Sequence, residues 1–457
     1  MQMGRDLALL APELAVLLTA VGALVFEMLK LPKVALPFTV VGLLVATALT
    51  VPLIGTETTV FMGTFRVDAL SEWAKISLLP ATALCAVLAH PEVKDTDREG
   101  TVHALFSFTA LGALVLAGAG DLMFVVLGVL LSSLGSFALT AYPRDDRATE
   151  AAMKYFVFGS VTSAVMVFGL TYWYGVTGST LLSELGRLGD SPFAAAVGLV
   201  AVLVGLGYKA AIAPFHFWAP DAYDGAPVSV AAFLSVVPKV GAIFGLVQVA
   251  RDLPAGGASG WPLVVAALAV LSMTYGNLAA LVQDNVVRLL AYSSIAQSGY
   301  FLLGVVAFGE SGLAFSSLAV FAAAYAAMNV GAFAVVMRSG RYLRDLAGLG
   351  RYAPWAGGAM VVFLISLVGI PPTAGFVGKL LLFGAAIDAG YVWLAVVAIL
   401  NSVLSLAVYL RIVVPMYGQP KKAKKPAMPP VDAVWAIALV LTVGVGLATL
   451  ALLGGIS

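Results

Sequence analysis

The chain has 457 residues, 61% of them hydrophobic and only 11% charged, with a formal net charge of +1 and a mean hydropathy of +1.01. Soluble domains carry about 25% charged residues, so this composition specifies a polytopic membrane protein, and its near-neutral balance gives no sign of a nucleic-acid partner. Cys85 is the single cysteine and His90, His103 and His216 are the only histidines, which excludes an intrachain disulfide and argues against a Cys/His metal centre; no cofactor is expected in this chain.

Crossing a hydrocarbon core of about 30 Å takes about 20 apolar residues. Runs of that kind are predicted near 7–29, 33–54, 68–89, 101–119, 121–142, 151–175 and 192–213. Seven more follow near 228–250, 261–282, 286–308, 312–337, 355–387, 391–414 and 431–454, fourteen spans in all. The first contains Pro12 and Glu13 and lacks a small-residue cleavage site, so it reads as a retained span rather than a signal peptide. Glu27, near Lys30, reads as interfacial. Lys75, three residues after Glu72, reads as a local ion pair or a snorkelling side chain. His90 and His103 flank a polar loop and read as solvated, and Asp121 reads as the cap of the fifth span.

The odd-numbered loops hold Lys30, Lys33, Lys94, Arg98, Arg144, Arg147, Lys154, Arg288, Arg338, Arg341, Arg344, Arg351, Arg411 and the lysines of "KKAKKPAMPP" (421–430). The even-numbered loops and the termini hold only Arg5, Arg66, Arg187 and Arg251. Because cytoplasmic loops collect Lys and Arg, both termini are expected on the outer side, and the 421–430 run is read chiefly as a topology signal.

Lys209, Lys239 and Lys379 fall inside spans, where a lysine costs about 3 kcal/mol and must face a cavity or a partner. "GLGYKAAIAPFHFWAPD" (205–221) sets Lys209, Pro214 and His216 together, and "GIPPTAGFVGK" (369–379) sets Pro371 and Pro372 before Lys379. Irregular backbone inside a bilayer survives only where it is buried or lines a wet cavity. If spans four to eight and nine to thirteen form two five-helix units, the interrupted seventh and twelfth spans are the fourth member of each. An odd number of helices per unit inverts the second relative to the first, and paired broken helices of this kind point to an ion path.

On the stretches "GLGYKAAIAPFHFWAPDAYDGAPVSVAAFLSVVPK", "DNVVRLLAYSSIAQSGY" and "SLVGIPPTAGFVGK", and over nearly the whole chain, the sequence resembles the antiporter-like membrane subunits of respiratory complex I, the proton-pumping NADH:quinone oxidoreductase, and within them the N-type branch. The resemblance implies an all-α fold of fourteen transmembrane helices with two inverted five-helix repeats and discontinuous seventh and twelfth helices. It divides the chain into an N-terminal three-helix segment (1–100), two proton half-channels (101–251 and 261–414) and a basic loop with the last helix (415–457). It also implies a proton relay through Lys209, Lys239 and Lys379, with His216 as a proton entrance or relay.

Other membrane subunits of the complex, both antiporter-like neighbours and small ones, are the implied partners, together with the lipid bilayer of the cell inner membrane. NADH, FMN, iron–sulfur clusters and quinone are expected in partner subunits, so the chain takes part in catalysis as a translocase subunit without a redox centre. Two positions depart from the family pattern. Leu130 in "LLSSL" (130–134) stands where a fifth-helix glutamate is usual, and Gln297 stands where histidine is frequent. These departures keep open a structural paralogue with impaired pumping; a cation/proton antiporter subunit is the other alternative, which ion dependence of transport would discriminate.

Overall fold

The computed structural model describes residues 2–94, 96, 98–254, 260–419 and 428–454. The chain opens with α1 (Gln2–Leu9), α2 (Ala11–Met28) and α3 (Pro32–Thr50), followed by a small hairpin of β1 (Thr58–Val60) and β2 (Phe65–Val67) in antiparallel register. Next come α4 (Ala69–Val93), α5 (Glu99–Ala117), α6 (Leu122–Ala141), α7 (Asp146–Thr177), α8 (Pro192–Lys209), α9 (Trp218–Gly225) and α10 (Val228–Ala250). A second series holds α11 (Trp261–Ala280), α12 (Val286–Val306), α13 (Ala314–Ser339), the single turn α14 (Leu349–Tyr352), α15 (Pro354–Val368), α16 (Ala374–Asp388) and α17 (Val392–Met416), and α18 (Pro429–Gly454) ends it. Among the described residues thirteen helices are long and apolar enough to cross a membrane, or fourteen when the interrupted stretch at α15 is counted.

The neighbour pairs of the first series recur in the second. α5 packs on α6 and α10, as α11 packs on α12 and α17, and α7 packs on α8 and α9, as α13 packs on α15 and α16. Small residues let these helices approach closely, which is how apolar helices associate where lipid competes equally for apolar contact. A Cβ on Gly112 would meet the backbone of Ser132 in α6, and one on Gly276 would meet the backbone of Ala296 in α12. α10 is buried along its whole length and α12 nearly so, whereas α2, α3, α7, α17 and α18 turn leucine, valine and other large apolar side chains outward.

Several expectations need correction. Lys75 neither snorkels nor pairs within its helix: it is fully buried and forms an ion pair with Glu13 of α2 at 2.8 Å. A crossing helix offers a partner in a direction that one helix's own spacing cannot reveal. His103 is buried rather than solvated, because α5 starts within the bundle, and His90 Nδ1 lies 3.2 Å from Glu99 Oε1. Glu27 accepts from the backbone N–H groups of Gly100 and Thr101 (the latter at 3.2 Å), the free donors at the start of α5, instead of answering Lys30. Asp121 does cap its helix, accepting from Met123 N at 2.6 Å. The first span is preceded by the separate helix α1, with Pro12 in the first turn of α2. Lys421, Lys422, Lys424 and Lys425 of the basic run lie outside the described residues.

One polar knot ties the N-terminal segment to the end of α10. Asp68 caps α4 by accepting from Ser71 N at 2.9 Å, while Ser71 Oγ accepts from Asp68 N at 3.1 Å. Arg251 Nη1 donates to Asp68 at 2.6 Å, and Gln248 Nε2 donates to Asp68 at 3.0 Å and to Ala117 O at 2.9 Å. Arg66 of β2 pairs with Asp252.

Candidate functional site: a buried row of lysines between two broken helices

Both helix breaks are built alike. α8 ends in a Schellman cap: Ile212 N donates to Gly207 O at 2.8 Å and Ala211 N to Tyr208 O at 2.9 Å, with Ala211 in the left-handed region at φ 52°. α15 ends with Gly369 at φ 92°, and Ile370 N donates to Ile365 O at 3.2 Å. In each case an isoleucine follows the left-handed residue and a cis-proline stands three residues after it, Pro214 in one break and Pro372 in the other. The chain then restarts as α9 or α16.

Aligning the breaks on these caps puts Lys209 opposite Leu367, so Lys209 and Lys379 are not equivalent positions. Lys209 is the last residue of the first half-helix, while Lys379 sits on the second half-helix and reaches back to the first. Their surroundings differ accordingly: the Lys379 ammonium meets the last carbonyls of α15, which are unpaired and carry the negative end of the helix dipole, whereas the Lys209 ammonium turns to hydroxyls of α6 and α7.

Lys379 Nζ donates to Leu367 O at 2.8 Å, to Val368 O at 3.1 Å and to Ser402 Oγ at 3.3 Å, and lies 3.7 Å from the centroid of the Tyr300 ring. Lys209 Nζ donates to Ser133 Oγ at 3.1 Å and to Tyr155 Oη at 3.4 Å. Lys239 Nζ donates to Ser294 O at 2.8 Å and to Ser294 Oγ at 2.7 Å. All three are buried, and among the described residues no carboxylate forms an ion pair with any of them. Their support is hydroxyl, carbonyl and ring electrons, which hold an ammonium without fixing its charge as a carboxylate would.

α12 touches Lys239 directly and the backbone beside the other two. Ser298 Oγ donates to Ala210 O, next to Lys209, at 2.7 Å and to Ser294 O at 3.1 Å, while Ser294 meets Lys239. Gln297 Nε2 donates to Leu367 O at 3.1 Å, the same carbonyl that Lys379 uses, and to Tyr409 Oη at 3.4 Å; Tyr409 Oη lies 2.6 Å from Ser293 Oγ. The buried hydroxyls of Ser133, Tyr155, Ser294, Ser298 and Tyr409 and the half-buried one of Ser402 are not singled out by the sequence. The legible signal for two of these six was "SSIAQSGY", three serines and an amide crowded into a span with no other reason to be polar.

His216 lies in the α8–α9 break, buried against Tyr275 (centroids 4.5 Å apart) and Phe217 (4.7 Å). α9 is held to its surroundings by charge: Asp221 accepts from Arg288 of α12 at 2.7 Å and from Lys154 of α7 at 3.2 Å, and Asp224 pairs with Arg147. Leu130 is 44% exposed on the outer face of α6 and lines a groove of about 640 Å³ between α6 and α7; Ser133, one turn on, is the residue that turns to Lys209. Among the described residues no group of three His, Cys, Asp or Glu side chains is placed to hold a metal ion.

Residues 119–405 match the family described as NADH:quinone oxidoreductase/Mrp antiporter, transmembrane. The chain belongs to this family. It is 40% identical over 454 residues to NADH-quinone oxidoreductase subunit N of Desulfovibrio desulfuricans (strain ATCC 27774 / DSM 6949 / MB), covering 92% of this chain and 89% of that one. It is 40% identical over 372 residues to the subunit of the same name from Mycobacterium sp. (strain JLS), covering 80% and 79%. A chain of respiratory complex I from Thermus thermophilus superimposes with a TM-score of 0.84 at 32% identity, over 95% of this chain and 97% of that one. A chain of the Mrp complex from Dietzia sp. DQ12-45-1b shares the fold, with a TM-score of 0.86 at 24% identity over 98% and 96%. The chain is predominantly helical and, by its helices long and apolar enough to cross a membrane, multi-pass.

The matched breaks give a direct test of local geometry in this family member. A Cβ on Gly369 would lie 2.9 Å from Lys379 Cδ, in a backbone conformation that only glycine adopts freely. Gly369→Ala is expected to destabilise the folded chain by about 1–2 kcal/mol. Ala211→Gly removes the same left-handed penalty and is expected to be neutral or slightly stabilising. Thermal unfolding of the two variants side by side checks the contrast; equal effects would refute the cap assignment.

Proposed function

We propose that the chain moves protons across the membrane as a subunit of an NADH:quinone oxidoreductase assembly, through a midplane relay in which Lys209 serves the first half-channel (101–251), Lys239 bridges, and Lys379 serves the second (261–414). Residues 1–100 and 415–457 flank the two inverted half-channels. The observation that supports the reading is a set of three buried lysines with no carboxylate partner among the described residues, with α12 reaching Lys239 itself, the carbonyl beside Lys209 and the carbonyl that holds Lys379. Charges that share a low-dielectric interior couple strongly, so a change of charge at one lysine alters proton affinity at the next. His216, in the α8–α9 break, serves as a proton entrance. NADH, FMN, iron–sulfur clusters and quinone belong to partner subunits, and this chain contributes translocation without a redox centre of its own. The complex lies in the bacterial inner membrane, with both termini of this chain on the outer side.

The test is the assembled complex in sealed liposomes. NADH oxidation by quinone is expected to drive proton movement that persists when sodium and potassium are replaced by a large organic cation. Proton movement that requires sodium or potassium and proceeds without a redox donor would establish a cation/proton antiporter subunit instead. Redox activity without proton movement in an assembly otherwise able to hold a gradient would establish the structural paralogue.

A further inference from the structure

The lysine row does not account for every buried charge. Near the membrane face on which α2 and α4 begin, Glu13, Glu72 and Lys75 are 7%, 0% and 0% exposed, respectively. Lys75 Nζ meets Glu13 Oε1 at 2.8 Å, and apart from that ion pair neither glutamate oxygen nor the ammonium has a hydrogen-bond partner. Glu72, three residues before Lys75 and so on a neighbouring helical position, accepts from Gly55 N at 3.0 Å through Oε2, while its Oε1 has no partner.

The charge count decides the chemistry. One ammonium paired with the Glu13 carboxylate, with a second buried carboxylate three residues before it on α4, leaves one negative charge in excess, and an uncompensated buried charge costs more than a proton on one of the acids. Among the described residues no other cation pairs with either glutamate: Arg5 of α1, the helix that packs on α2 at this end, is exposed. The aromatic ring of Phe65 lies 5.9 Å from Lys75 Nζ and adds none. Arg66 and Arg251 are nearby but are committed to Asp252 and Asp68. The remaining acids on this side, Glu57 (whose carboxylate accepts from Ala69 N at 3.4 Å) and Asp6 (accepting from Phe61 N at 3.3 Å), add negative charge. Of the other helices packed on α2 and α4, α3, α5, α13 and α18 carry their charged residues, Lys33, Glu99, His103, Arg338 and Asp432, at the opposite end, and α10 brings only the mid-helix Lys239 before Arg251.

We propose that Glu13, Glu72 and Lys75 form a proton-binding site, separate from the lysine row, that holds one exchangeable proton between its two carboxyl groups and reaches water past the exposed Glu57. A proton arrives from water on one carboxylate, converting it to a carboxylic acid, and leaves by the same route; no other bond changes. This site goes beyond the translocation reading and is measured at rest, so its failure and the failure of that reading are distinguishable.

The experiment is pH-jump infrared difference spectroscopy on the purified assembly. The wild type is expected to show a C=O band of a protonated carboxylic acid that is lost in both Glu13→Gln and Glu72→Gln, since either change leaves one ammonium facing one carboxylate. Lys75→Met is expected to enlarge the band, because both acids then need protons. The double variant Glu13→Gln/Lys75→Met keeps one carboxyl group and no cation, and is expected to retain the band if the complex assembles. No such band in the wild type, or a band that survives both glutamine variants, would reduce the cluster to a static ion pair and overturn the proposal.

Discussion

Replacing Lys239 by methionine is expected to lower proton translocation by the assembled complex at least about tenfold, equivalent to about 1.4 kcal/mol on the limiting barrier, while leaving assembly intact. Methionine fills nearly the same volume and removes only the charge and three donors, so the fully buried α10 keeps its packing. What disappears is the contact with Ser294 O and Ser294 Oγ, through which α10 meets α12. Ser294→Ala removes one of those two acceptors and leaves the other, so its effect should be clearly smaller. Liposome pumping measured with subunit recovery separates lost transport from lost assembly. Undiminished pumping in Lys239→Met would remove the bridge from the relay.

The second large effect concerns stability. Asp68→Ala is expected to cost about 3–5 kcal/mol, because one carboxylate caps α4, receives Arg251 and receives the buried amide of Gln248. Its removal leaves Gln248 Nε2 with only Ala117 O and leaves Arg251 without its acid partner. Asp68→Asn keeps a side-chain oxygen for the cap and is expected to cost less than half as much. Thermal unfolding of the complex in detergent, followed by release of this chain, reads both; equal losses would show that the cap, not the charge, holds the N-terminal segment to α10.

These two residues also divide what could be read early from what could not. Lys239 was legible because a charge in a 23-residue apolar helix has no cheap explanation in a bilayer. Asp68 was not, because an acid at the start of a span reads as an ordinary cap, and its other partners lie about 180 residues away in sequence. Separation in sequence likewise hides the partner of Glu13, which lies on the first span while its ion-pair partner Lys75 lies on α4.

The sequence by itself determined the membrane class, the span count to within one, the two interrupted helices and the three central lysines. Each of these follows from a one-dimensional cost: the length of an apolar run, a proline's missing donor, or a charge placed in hydrocarbon. Tertiary structure alone decided which groups those lysines meet. It placed Lys379 on the carbonyls of its own broken helix, turned Ser133 rather than Leu130 toward Lys209, and brought α12 to Lys239 and to the backbone beside the other two through side chains that are unremarkable in isolation. Hydrogen-bond partners are chosen by where helices cross and how each is rotated about its axis. In this chain nearly every face is apolar, so periodicity carries little information about rotation, and only the packed bundle supplies it.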